Sequence, residues 1–427
     1  MTPTRRIFLK NGAISMAAIG ASAYWSPGLL GRMALAAGSA DAAHRNKVLI
    51  CLFQRGAADG LSMVIPHGDP FYYQHRHDIA IPRPARGSSD THAIDLDGFF
   101  GLHPAMDALM PLYKAGHLAV IHACGSPSHS RSHFDMQDFM ESAAPDNKTV
   151  DTGWLNRMIW ARPEPDSTPF RAVSMTAVLP RSLRGDAEAL AIRDLSTFGV
   201  HSPSGGGNLA AGFEGMYDTA VDGVLRGAGK GSFDALSLLK KANPEQYHPA
   251  RGVKYPQNTF GRSMMQVAQL IKADVGLEVA FVEMDGWDTH VNQGGAFGTM
   301  SDRLIDFSRG IASLFADLGD RGQDVLLLTM SEFGRAARQN GNRGTDHGHA
   351  TCFFAVGGNV HGGRVLGHWP GLAPEKLFEE RDLAVTTDFR DVFAEAAVRH
   401  FGLEPERLKD VFPNYSVDSD RFRGFCA

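Results

Sequence analysis

The sequence has only four cysteines in 427 residues, Cys51, Cys124, Cys352 and Cys426, and no Cys-x-x-Cys pair. Their wide separation excludes a zinc ribbon and a thioredoxin-like redox site. Gly-x-Ser-x-Gly is missing, which argues against the strained nucleophile turn of an α/β-hydrolase. Nothing repeats at a fixed period, so solenoids and propellers are excluded. A basic excess is absent as well: 42 Lys and Arg face 47 Asp and Glu, a formal net charge of −5. That balance argues against nucleic acid as the main partner, because phosphate binding relies on Lys and Arg. Beyond residue 36 no run reaches the roughly 20 mainly apolar residues needed to span a membrane, so no membrane span is expected in the mature chain.

What is present begins with an export signal. Arg5-Arg6 is followed by Phe8-Leu9-Lys10, then an uncharged apolar stretch from Ala13 to Ala23, then small residues around Ala34-Leu35-Ala36. This order is that of a twin-arginine signal peptide, residues 1–36, cleaved near Ala36. Gly20, Ser22, Ser26, Pro27 and Gly28 interrupt the stretch and argue against a membrane anchor. The expected partner is the twin-arginine translocation machinery, and the expected location is periplasmic or secreted. The signal carries Arg5, Arg6, Lys10 and Arg32 and no acid, so its removal takes the net charge from −5 to −9.

The remaining 37–427 reads as a single α/β domain. Val48–Phe53, Leu118–Ile121, Val279–Val282, Val325–Thr329 and Thr351–Val356 are short continuous apolar runs. Such runs, bounded by glycine-rich turns, are strands buried on both faces, as in a parallel sheet. Between them, Met264, Val267, Ala268 and Ile271 keep helical spacing, as do Leu304, Ile305, Ser308, Ile311, Ala312, Phe315 and Leu318. The alternation predicts a largely parallel sheet covered by helices on both faces. Weak strand signals, with a linker-like Ser202–Gly207, mark an insertion at about 184–257. Cys51 and Cys352 lie inside apolar runs and are expected to be buried free thiols.

Ligands of open α/β sheets bind at the carboxyl ends of the strands, and the residues there are of metal-ligand type. Arg55 and Asp59 follow the first run. His122 and the segment 126–133 follow the second. Asp285, Asp288 and His290 follow the third, and Glu332, Arg335 and Asp346-His347-Gly348-His349 follow the fourth. Mixed Asp and His ligation suits zinc or a similar divalent ion. Asp59 reads either as a ligand or as a turn residue. Ser132 precedes an expected helix and is either its N-cap or a nucleophile; a Ser–His–Asp triad can also be drawn. Arg55 and Arg335 are either solvated or placed to grip a phosphate, sulfate or carboxylate with two N–H groups.

Arg55-Gly-Ala-Ala-Asp59-Gly60, Ser130-Arg-Ser-His-Phe134, Gly286-Trp-Asp-Thr-His290, Ser331-Glu-Phe-Gly-Arg335 and Gly344-Thr-Asp-His-Gly-His349 resemble a bacterial exported family, domain of unknown function 1501. That family is in turn similar to the alkaline phosphatase and sulfatase superfamily. The resemblance implies a three-layer α/β/α sandwich with one or two divalent metal ions, zinc being the one expected, at the carboxyl edge of the sheet. It would place Asp59, Asp346 and His347 on one ion with Ser132 as nucleophile. Asp288, His290 and a later His would hold the other, with His349, His361 and His368 in competition and Asp285 a rival to Asp288. Gly125 stands where a sulfatase's Cys would be, which argues against a formylglycine enzyme. The implied activity is hydrolysis of phosphate or sulfate esters. A binding protein that keeps the fold, or a serine esterase, are the alternatives.

Overall fold

Val48–Gln54 (β1) is buried along its whole length, and its side chains alternate between two cores. Leu49, Cys51 and Phe53 enter one; Ile50 and Leu52 enter the other. A strand apolar on both faces is stable only when helices cover both sides, which accounts for its unbroken hydrophobic run. The computed structural model describes residues 46–85, 87, 90–164, 167–197 and 247–427. The expected signal, and residues 198–246 of the expected insertion, lie outside the described residues.

The other strands of the main sheet are β2 (Leu118–Gly125), β3 (Ala172–Ser174), β4 (Leu190–Ala191), β5 (Val279–Met284), β6 (Val325–Met330), β9 (Thr351–Gly357), β10 (Arg364–Leu366) and β11 (Thr387–Asp388). Arg335–Gln339 (β7) and Thr345–His347 (β8) form a separate antiparallel ribbon. The main sheet runs β10-β2-β9-β6-β1-β5-β3-β4, with β11 also pairing β2. β4 pairs with β3, so the sheet extends into the start of the expected insertion.

The first core packs β1, β5 and β6 against Thr259–Lys272 (α5) and Thr299–Leu318 (α6). The second packs the opposite face against His133–Ser142 (α3), Trp154–Trp160 (α4) and Phe389–Glu395 (α7). The expected α/β/α layering is therefore present. Gly60–Met63 (α1) and Pro70–His75 (α2) follow β1 at its carboxyl end. No helix among the described residues is long and apolar enough to cross a membrane. All four cysteines are buried and free, as the two in apolar runs were expected to be.

The sheet is largely parallel, as expected, and departs from the sequence reading in two details. β9 runs antiparallel to both β2 and β6. The chain leaves β6 at the carboxyl edge, makes the β7–β8 ribbon there, and re-enters the sheet without a crossover helix, which only an antiparallel strand allows. β2 also runs on to Gly125, so His122 lies inside the sheet, its Nε2 donating to the Val64 carbonyl at 3.2 Å. Burial pushes the His122 pKa down to about 4, which marks it as a core histidine.

Candidate metal centre

Three connections meet at the carboxyl edge. The loop after β2 leads to His133, the first residue of α3; β5 leads to Asp288 and His290; β6 leads to Glu332 and to the ribbon whose last residue is His347. Arg335 on β7 stands opposite His347 on β8. Glycine makes this packing possible at two points. A Cβ on Gly348 would sit 2.2 Å from the Arg335 carbonyl carbon, and one on Gly344 would sit 2.2 Å from the His290 oxygen.

The Nε2 atoms of His133 and His347 are 2.9 Å apart, as are those of His290 and His347. Asp288 Oδ1 lies 3.0 Å from His290 Nε2, 3.4 Å from His347 Nε2 and 3.6 Å from His133 Nε2. Each ring is held from behind. His133 Nδ1 donates to Glu332 Oε1 at 2.9 Å, His347 Nδ1 donates to the Arg131 carbonyl at 2.9 Å, and His290 Nδ1 faces Asp346 Oδ1 at 3.4 Å. With the protons assigned to Nδ1 by these acceptors, each Nε2 presents a lone pair. Lone pairs at 2.9 Å repel one another unless a proton or a metal cation lies between them.

The dimensions fit such a cation. His133, Asp288 and His347 form the compact donor triple, with edges of 2.9, 3.4 and 3.6 Å. Ligands at about 2.0–2.1 Å around a tetrahedral zinc ion are separated by about 3.3 Å. A carboxylate or carbonyl behind each imidazole is the usual outer support of a histidine-ligated metal.

Glu332 is wholly buried. It also accepts from the Gly56 amide at 2.8 Å, Gln137 Nε2 at 3.0 Å and Ser331 Oγ at 3.1 Å. Burial alone would raise its pKa, but the hydrogen bonds, His133 first, hold it below the usual carboxylate value. In return the Glu332 hydrogen bond raises the His133 pKa. Burial lowers that of His347. Burial also works against the Asp288 charge, and the Arg335 hydrogen bond and charge overcome it. Replacing Glu332 with glutamine should weaken zinc affinity about 10–100-fold with the fold retained, as measured by competition with a chelator.

The sequence-derived candidates divide sharply. Asp288, His290 and His347 come together, and His133 joins them. Asp346 stands behind His290 and accepts from Asn340 Nδ2 at 3.0 Å. His349 lies outside the cluster: it is buried, stacks on Phe378 at 4.2 Å, and has its pKa pushed down to about 4 by burial. His361 follows the antiparallel β9 and so sits at the far edge of the sheet. Asp285 and His368 are exposed and outside the donor triple. Asp59 is buried at the end of β1 and bound to Arg76 instead. Ser132 is the N-cap of α3, with Oγ 3.5 Å from the Asp135 amide.

Both arginines are engaged by the protein. Arg335 is fully buried and donates to the carbonyls of Ala57, Thr345, Gly56 and Trp287 and to Asp288 Oδ1 at 2.5 Å. Arg55 is held by Glu283 at 2.6 Å, Gln137 at 3.0 Å and Glu141 at 3.1 Å. Sequence reasoning placed Glu332 and the segment 126–133 at this edge but gave neither Glu332 nor His133 a role in the site. The available signal was the imidazole that ends Ser130-Arg-Ser-His133, in the loop that leads from a buried strand to a helix.

A fold that gathers imidazoles and a carboxylate from separate strand ends defines an α/β protein with a candidate metal centre. The chain belongs to the DUF1501 family, described as a protein family of unknown function, whose model matches residues 46–412. No curated protein sequence matches the chain significantly. Among solved structures it is similar to the zinc complex of the C-terminal periplasmic domain of EptC from Escherichia coli, at 11% identity and TM-score 0.38 over 88% of each chain. It is similar to the PsFucS1 sulfatase from Pseudoalteromonas sp., at 13% identity and TM-score 0.36 over 85% of this chain and 69% of that one. A TAB5 alkaline phosphatase mutant with magnesium bound is similar at 14% identity and TM-score 0.31, over 73% of this chain and 91% of that one.

Proposed function

We propose that the chain is an exported, metal-dependent hydrolase of phosphate or sulfate esters. The observation that carries this reading is the convergence of three imidazole Nε2 atoms and Asp288 Oδ1, each backed by a fixed partner, at the carboxyl edge of the sheet. His133, Asp288 and His347 would hold the ion, with His290 adjoining. The donor chemistry suits zinc. An ion there supplies Lewis-acid polarisation of an ester oxygen.

The chain's own groups have distinct tasks. Glu332 and the Arg131 carbonyl keep the protons of His133 and His347 on Nδ1, so that Nε2 faces the centre. Arg335 fixes Asp288 and, being enclosed, acts on the ligand rather than on a substrate. Arg381 brings positive charge to the rim: its side chain is 40% exposed, and Nη2 donates to the His347 carbonyl at 2.9 Å. Ser132 precedes His133, and its cap contact is long, which leaves the hydroxyl able to turn toward an ester as nucleophile.

The test is metal analysis of the folded chain, followed by turnover of aryl phosphate mono- and diesters and aryl sulfates. A metal-free chain, or a metal-loaded chain inert on every ester, would sink the hydrolase reading; the second result would favour a binding protein. Ser132→Ala should keep the metal, lose about 1 kcal/mol of stability or less, and lose turnover. Retained turnover would assign Ser132 to the helix cap alone.

A further inference from the structure

We infer that the centre takes a single ion and that the buried Asp59–Arg76 pair occupies the place of a second. This rests on the metal-centre reading above. Asp59 lies in the turn after β1, as the N-cap of α1, where resemblance would put a ligand of another ion. Its carboxylate already accepts four hydrogen bonds. Arg76 Nη1 donates to Oδ2 at 2.5 Å and Nη2 to Oδ1 at 2.9 Å, while Ser62 Oγ at 2.8 Å and Gln293 Nε2 at 2.6 Å donate to Oδ2. Both side chains are wholly enclosed. A second divalent ion would need this carboxylate's charge and lone pairs, and it would have to enter beside a buried guanidinium. Placing like charges together away from water is strongly unfavourable.

Arg76 does the joining that an ion would do. Besides Asp59 and Ser62, it donates to the carbonyls of Ala336 at 2.9 Å and Ala337 at 3.0 Å on β7. Gln293, bound to the same carboxylate, accepts from Thr289 Oγ1 at 2.8 Å and Thr345 Oγ1 at 2.7 Å. Thr289 lies between Asp288 and His290, and Thr345 lies two residues before His347. Asp59, Arg76 and Gln293 are therefore positioning residues that brace the two loops carrying the donors. Asp346, the other acid expected on that ion, is turned to His290 and Asn340. Among the described residues, such donors gather at one place, where His290 adjoins the triple of His133, Asp288 and His347.

The experiment uses the full folded chain, stripped with a chelator, titrated with zinc and analysed for metal after desalting. One zinc per chain is expected. Two would overturn this inference and leave the metal-centre reading standing; none would overturn both. Asp59→Asn should still bind one zinc. Should it fail to fold, the double variant Asp59→Asn/Arg76→Met removes both charges together and should also keep the ion. A folded double variant without zinc would make Asp59 a donor and refute the proposal. Gln293→Leu should keep one ion per chain yet shift the visible absorption bands of the cobalt-substituted protein. Unshifted bands would refute the positioning role.

Discussion

His347→Ala should abolish tight zinc binding and leave the chain folded. His347 is the hub of the donor set, 2.9 Å from both His133 and His290 and 3.4 Å from Asp288. Losing a group that merely supports a ligand weakens metal affinity about 10–100-fold, so loss of the ligand itself should exceed about 100-fold. The fold should survive because the side chain is partly exposed and, outside the donor set, makes one hydrogen bond, to the Arg131 carbonyl. Such a bond is worth about 1 kcal/mol, and removing one crowded lone pair offsets part of it. The metal-free variant should therefore unfold within about 1 kcal/mol of the metal-free parent.

The zinc-dependent difference should be much larger. A ligand at 1,000 times its dissociation constant stabilises the native state by about 4 kcal/mol. The parent chain should show that gain in thermal unfolding, and His347→Ala should show almost none. An equal zinc-induced shift in both proteins would remove His347 from the centre.

Why the centre was only half legible follows from particular residues. The strands announced themselves because burial on both faces demands continuous apolar runs, and β1, β5 and β6 have them. Asp288 and His290 could be found because they follow such a run within a short loop, and His347 because it stands in Asp346-His347-Gly348-His349, where a carboxylate adjoins two imidazoles. His133 was obscured because Ser132 before it reads first as a cap, and the cap exists. Asp59 misled for a different reason. Its partner Arg76 is brought in by α1 and α2, and nothing in either residue's local sequence marks them as a pair. Arg335 misled most: an arginine beside glycine in a polar loop reads as solvated or as a grip for a substrate anion, whereas the ring of carbonyls that buries it comes from three separate connections.

That ring makes Arg335→Ala the most destabilising substitution expected at the centre, by about 3–5 kcal/mol. The side chain is fully enclosed and satisfies the carbonyls of Gly56, Ala57, Trp287 and Thr345 at 2.8–2.9 Å. Truncation leaves those acceptors unpaired, at about 1–3 kcal/mol for each that water cannot reach, and opens a cavity. The Asp288 ion pair adds less, because its carboxylate is nearly half exposed and solvent screens the charge. Arg335→Lys separates these contributions. Lysine keeps a positive charge near Asp288 but lacks the planar fork that reaches several carbonyls at once. It should recover part of the zinc affinity while remaining well below the parent in stability. Denaturant unfolding of the metal-free proteins and zinc competition against a chelator would read the two effects separately. A stability loss below about 1 kcal/mol for Arg335→Ala would show that water rehydrates the carbonyls. Arg335 would then hold Asp288 without holding the loops together.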